Sequence, residues 1–100
     1  MIVDDRITTY LHSLEMPDIP VIEEIEKEAL EAYVPIIRKE TQSFLKVLLT
    51  IQKPKRILEV GTAVGFSAVL MSHYMPKDGH IITIENYEKR IPVARANFAR

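Results

Sequence analysis

The sequence predicts an α/β fold: a helical segment over residues 1–54, followed by the opening βαβα part of a parallel sheet domain over residues 55–100. Two short apolar, β-branched runs, Arg56-Ile57-Leu58-Glu59-Val60 and Ile81-Ile82-Thr83-Ile84, have the character of strands buried in a parallel sheet. A glycine-bearing turn, a helix and a short loop separate them. Upstream, apolar residues recur at helical spacing and prolines divide them into segments.

The first helix is expected between Ile2 and Leu14, where Ile7, Tyr10, Leu11 and Leu14 share a face, and Pro17 with Pro20 closes it. Pro20 suits the first turn of a second helix, whose inner face is Ile22, Ile25, Ala29, Ala32 and Tyr33. Its acidic residues, Glu23, Glu24, Glu26, Glu28 and Glu31, read as a solvated face. Pro35 breaks that helix and leaves Val34 to Ile37 extended. A third helix is expected from an N-cap at Thr41, with Phe44, Leu45, Leu48, Leu49 and Ile51 turned to the core. Lys53-Pro54-Lys55-Arg56 ends it, and these cations suit a helix C-terminus at the surface.

After the first strand, a helix from Ala63 to Met75 is apolar on most sides, and Pro76-Lys77-Asp78-Gly79 is a turn. A last helix follows Glu85, with Pro92 admissible only in its first turn. Two parallel strands with one crossover helix leave a sheet that needs further strands and a second covering layer. The expectation is therefore the first part of a larger doubly wound domain.

Composition narrows the chemistry. The 100 residues carry 13 Lys and Arg against 14 Asp and Glu, a net charge of −1, which gives no global case for nucleic acid or anionic lipid. Without cysteine there is no disulfide, thiolate nucleophile or Cys-based zinc site. No apolar run nears the roughly 18 residues of a membrane span, and no secretory leader opens the sequence. A cytoplasmic protein without a membrane partner is expected.

The turn carries the binding chemistry. Gly61 ends the first strand and Gly65 opens the next helix, so backbone N–H groups face a ligand at close range. The pattern Glu59-x-Gly61-x-x-x-Gly65 lacks the G-x-G-x-x-G of dinucleotide folds, because Ala63 and Phe66 occupy two of its glycine positions. A ligand without phosphates is favoured over NAD or FAD, and S-adenosylmethionine fits. Glu59 would serve its ammonium end. Glu85, at the end of the second strand, would accept both ribose hydroxyls.

The segment Ile57-Leu58-Glu59-Val60-Gly61-Thr62-Ala63-Val64-Gly65-Phe66-Ser67-Ala68, followed by Ile82-Thr83-Ile84-Glu85, resembles the cation-dependent O-methyltransferases, the group of the catechol and caffeoyl-CoA enzymes. Within that group it is most similar to bacterial methyltransferases of tRNA hydroxyuridine, and the resemblance spans roughly residues 20 to 100. It implies the N-terminal half of a Rossmann-like class I methyltransferase fold. It also implies that Glu59, Gly61 and Ala63 line the methionine end, that Ser67 adds a hydroxyl near the carboxylate, that Glu85 holds the ribose, and that Ile37 borders the cofactor.

By the same resemblance, methyl passes directly to a hydroxyl of a small molecule or of tRNA, assisted by a divalent cation such as magnesium, in a homodimeric enzyme. The metal ligands of that family follow later strands. No metal ligand and no catalytic residue is therefore assigned within this chain, and the 100 residues alone are expected to lack turnover. An inactive fragment or binding module, and an NAD-dependent dehydrogenase, are the alternative readings.

Overall fold

The computed structural model describes residues 3–100, so Ile2, the expected start of the first helix, lies outside the described residues. The elements run α1 (Asp5–Ser13), α2 (Pro20–Glu31), α3 (Lys39–Gln52), β1 (Arg56–Val60), α4 (Phe66–Tyr74), β2 (His80–Ile84) and α5 (Ile91–Phe98). β1 and β2 pair in parallel, with Ile57 opposite Ile81 and Glu59 opposite Thr83. Side chains alternate across a strand, so these four share one face of the sheet.

That face is covered by α4, the central element of the fold. Its Phe66, Ala68, Val69, Leu70 and Met71 are all buried, as the apolar circumference of the sequence requires. On the far side of α4 lie α2, through Ile22, Ile25 and Ala29, and α3, through Leu49. Burying side chains of this size contributes about 1.5–3 kcal/mol each, so this layer dominates the stability. The other sheet face is open: Leu58, Val60, Ile82 and Ile84 are all at least half exposed. Strand sequences suited to burial on both faces are here covered on one.

Several local expectations are corrected. α3 starts at Lys39, and its N-cap is Arg38, three residues before the expected cap at Thr41 and without a side-chain cap. Its apolar stripe is only half used, since Leu49 is buried while Phe44 and Ile51 stand in solvent. The buried polar partner on α3 is instead Gln42. On α2, Glu26 is buried rather than part of a solvated face, because Gln42 Nε2 donates to it at 2.8 Å and Lys39 Nζ lies 2.7 Å away. Tyr33 lies past the end of α2 with φ 56° and is 93% exposed, outside the inner face assigned to it. Ala63 and Val64 precede α4, whose first helical residue is Phe66.

α1 is capped by the Asp4 carboxylate, which accepts from the Arg6 N–H at 2.8 Å. The connection from α1 to α2 is pinned at Asp18. Burial raises the Asp18 carboxyl, but the Lys46 ammonium at 2.5 Å, the Ile19 N–H and the Tyr74 hydroxyl together hold it below its ordinary range. This cluster joins the first helical segment to α3 and to the C-terminal end of α4. It lies at the opposite end of α4 from the glycine turn.

Candidate S-adenosylmethionine site

β1 delivers the chain to Gly61, and the ladder continues past the strand: Gly61 N and Thr62 N both donate to Ile84 O, at 2.8 and 3.2 Å. The backbone then turns sharply. Gly61 has φ 97°, Ala63 φ 51° and Gly65 φ 85°, three residues in the left-handed region within five positions. For Ala63, whose Cβ crowds the backbone there, the cost is about 1–2 kcal/mol. A Cβ built at Gly61 meets nothing within 4 Å, so open space lies against the backbone at this position.

The turn holds a cleft of about 90 Å³ lined by Pro35, Ile36, Ile37, Gly61, Thr62, Ala63, Phe66 and Ser67. Ligand pockets usually exceed roughly 300 Å³, so this cleft alone is too small to enclose a whole ligand. Four of the six residues singled out from the sequence, Ile37, Gly61, Ala63 and Ser67, line it directly. The segment carrying Ile37 is held down by the polar pair beneath it, because Gln42 Nε2 donates to Ile37 O at 2.9 Å while also bonding Glu26.

Glu59 lies under the cleft, and each of its oxygens receives a hydroxyl. Thr83 Oγ1 donates to Oε1 at 2.8 Å, and Ser67 Oγ donates to Oε2. No Lys, Arg or His among the described residues pairs with this half-buried carboxylate. Ser67 thus lines the cleft with its hydroxyl donating to Glu59. At the mouth of α4, Gly65 is the N-cap and no side chain caps the helix, so the first-turn N–H groups are available to an anion.

Glu85 sits across the turn. Its Oε1 accepts from Ala63 N at 2.7 Å and its Oε2 from Tyr87 N at 3.0 Å. The Tyr87 N–H, then the Ala63 N–H, hold its carboxyl below the ordinary 4.5 against a small opposing effect of burial, and Arg90 adds to the lowering. Glu85 is not a cap of α5, which begins six residues later at Ile91. Each oxygen keeps a lone pair for a further donor.

The sequence reading missed Thr62 and Thr83. A signal for Thr83 was present: Glu59 and Thr83 each stand one residue before the end of their strand, and the parallel register makes them neighbours on one face. Thr62 is buried and its hydroxyl lies 2.6 Å from that of Thr83.

Residues 11–100 match the model of a family described as O-methyltransferase. The chain belongs to the O-methyltransferase family. Over 96 residues it is 29% identical to a catechol O-methyltransferase of Mycobacterium tuberculosis, covering 94% of this chain and 44% of that protein. A catechol O-methyltransferase of Niastella koreensis is 40% identical over 57 residues, covering 57% of this chain and 26% of the relative. The structure superimposes on an O-methyltransferase from Bacillus cereus in complex with SAH (S-adenosylhomocysteine), with TM-score 0.78, 27% identity, and coverage of 94% of this chain and 44% of that one. The fold is thus the Rossmann-like one of class I methyltransferases, with its parallel sheet and preceding helices. This O-methyltransferase chain spans less than half the length of the curated relatives it matches.

The site residues suit the cofactor end by end. Glu59 offers an anion without a cationic partner, the helix mouth offers N–H groups, and Glu85 offers two acceptor oxygens. They do not suit a divalent cation: among the described residues, no three His, Asp or Glu side chains come together. No helix of the described residues is long and apolar enough to cross a membrane.

Proposed function

We propose that this chain forms the cofactor-binding half of an S-adenosylmethionine-dependent O-methyltransferase. The observation that carries the reading is Glu59, a half-buried carboxylate fixed by two hydroxyls at the mouth of an uncapped helix, with no cation of the described residues beside it. A half-buried carboxylate held by neutral hydroxyls alone gains from a cationic donor, and the ammonium of the methionine end supplies one. The matching carboxylate faces the N–H groups of the first turn of α4, where the helix dipole favours an anion. Gly61 and Ala63 give close backbone approach, Ile37 covers the cleft, and Glu85 takes the ribose hydroxyls.

When bound, S-adenosylmethionine supplies an electrophilic methyl on a sulfonium. The contribution of these residues is to fix both ends of the molecule, so that the methyl is held in one place and attack becomes effectively intramolecular. The acceptor is a hydroxyl, on a small molecule of the kind the relatives are named for or on tRNA as the sequence resemblance implies. A divalent cation that activates this hydroxyl, and the homodimeric cytoplasmic enzyme expected from the sequence, belong to the same proposal. Among the described residues no three His, Asp or Glu side chains come together, so no step here is routed through a metal.

Calorimetric titration separates the readings. S-adenosylhomocysteine is expected to bind and NADH is not, while methyl transfer by the 100 residues alone is expected to be absent. Binding of NADH without S-adenosylhomocysteine would replace the methyltransferase reading with a dehydrogenase. The dinucleotide reading is disfavoured by Ala63, which occupies the position of the second glycine in the G-x-G-x-x-G pattern.

A further inference from the structure

Glu59 and Thr83 face each other directly in the parallel register of β1 and β2. Thr83 Oγ1 donates its single proton to Glu59 Oε1 at 2.8 Å. Its contact with Thr62 Oγ1, at 2.6 Å, must then be one in which Thr62 donates and Thr83 accepts, since a hydroxyl has only one proton to give. The hydroxyls therefore form a directed chain from Thr62 through Thr83 to Glu59. Ser67 closes on the other carboxylate oxygen from the first turn of α4. With one hydroxyl on each oxygen, the Glu59 carboxylate plane is fixed, and each oxygen keeps a lone pair for a further donor.

We propose that Thr83, oriented by Thr62, is a positioning residue that aims Glu59 at the ammonium of the cofactor's amino-acid end, and so contributes selectively to recognition of that end. The inference rests on the cofactor reading given above. Thr83 itself does not line the cleft, whereas Thr62 lines it through the turn. A threonine needed only for strand packing would tolerate valine, which has the same shape and a strong preference for strands. A positioning threonine would not.

The test uses two ligands that share adenosine and differ in the amino-acid end: S-adenosylhomocysteine, and 5′-methylthioadenosine, which lacks it. Dissociation constants are measured for the unaltered chain, Thr83→Val and Thr83→Ser, with melting curves to show that each variant folds. Thr83→Val is expected to weaken S-adenosylhomocysteine by about tenfold, the scale of one lost hydrogen bond, and to leave 5′-methylthioadenosine within about twofold. Thr83→Ser, which keeps the hydroxyl, is expected to restore affinity. Should Thr83→Val fold poorly, Thr62→Val removes the orienting donor one link earlier and is expected to show a smaller loss with the same selectivity. Equal weakening of both ligands, or of neither, would overturn the positioning role while leaving the cofactor site in place. Failure of the unaltered chain to bind either ligand would overturn the cofactor reading, and this inference with it.

Discussion

Gly65→Ala is expected to destabilise the chain by about 2–3 kcal/mol, the sum of two separable effects. Gly65 has φ +85°, where an L side chain costs about 1–2 kcal/mol. The new Cβ would also fall 2.7 Å from Cε1 and 3.0 Å from Cζ of Phe98, the last helical residue of α5. Because the Phe98 ring is nearly half exposed, it can swing away, and the steric part is the smaller one. Urea unfolding of Gly65→Ala, Phe98→Ala and the double variant resolves them. The double variant should recover the steric part and retain the strain, a coupling of order 1 kcal/mol between residues in contact. Gly65→Asn should be milder than Gly65→Ala, since Asn tolerates the left-handed region. Full additivity of the two alanine substitutions would show that the ring does not oppose the turn.

Glu85→Ala is expected to weaken S-adenosylhomocysteine binding by at least about tenfold, because a carboxylate that accepts from two hydroxyls is a charged acceptor and such bonds are stronger than neutral ones. The substitution also releases the Ala63 and Tyr87 N–H groups, so the turn itself loosens. Glu85→Gln separates the effects: its amide oxygen can still accept from one N–H, and it should lose less than alanine. The carboxyl is held below 4.5 in this fold, so the contribution of Glu85 is present at neutral pH and disappears only as pH falls through that lowered value. Affinity should accordingly be insensitive to pH on its account from neutrality down to about pH 5. Unchanged affinity in Glu85→Ala would remove Glu85 from the site.

What was legible in the sequence was legible because it is local. Continuous β-branched runs, two glycines and the prolines at positions 20, 76 and 92 act within a few residues of themselves, and they placed both strands, the turn and the helix boundaries near them. Gly61, Ala63 and Ser67 line one cleft because they belong to one turn and the helix it opens, whereas Ile37, from the connection between α2 and α3, was expected through the family resemblance alone. Glu26 was misread because its burial depends on Gln42 across two helices, and an isolated glutamate on a charged helix looks solvated. Thr83 was missed for a similar reason: its hydroxyl acquires a role only through the parallel register that sets it opposite Glu59. The N-cap of α3 was placed late because Arg38, without a capping side chain, gives no signal that Thr41 does not give better. Open apolar residues on β1 and β2 follow from strand runs written for two covered faces, of which α4 covers one.

The turn between β1 and α4, together with Glu85, is the proposed S-adenosylmethionine site. Backbone amide NMR of the chain during titration with S-adenosylhomocysteine reads this residue by residue. Saturable shifts are expected at Gly61, Thr62, Ala63, Phe66, Ser67 and Glu85 and in the segment around Ile37, with little change at α1 or at the Asp18–Lys46 cluster. Shifts confined to the far end of α4, around Tyr74 and Asp18, or no saturable shifts with the chain folded, would contradict it.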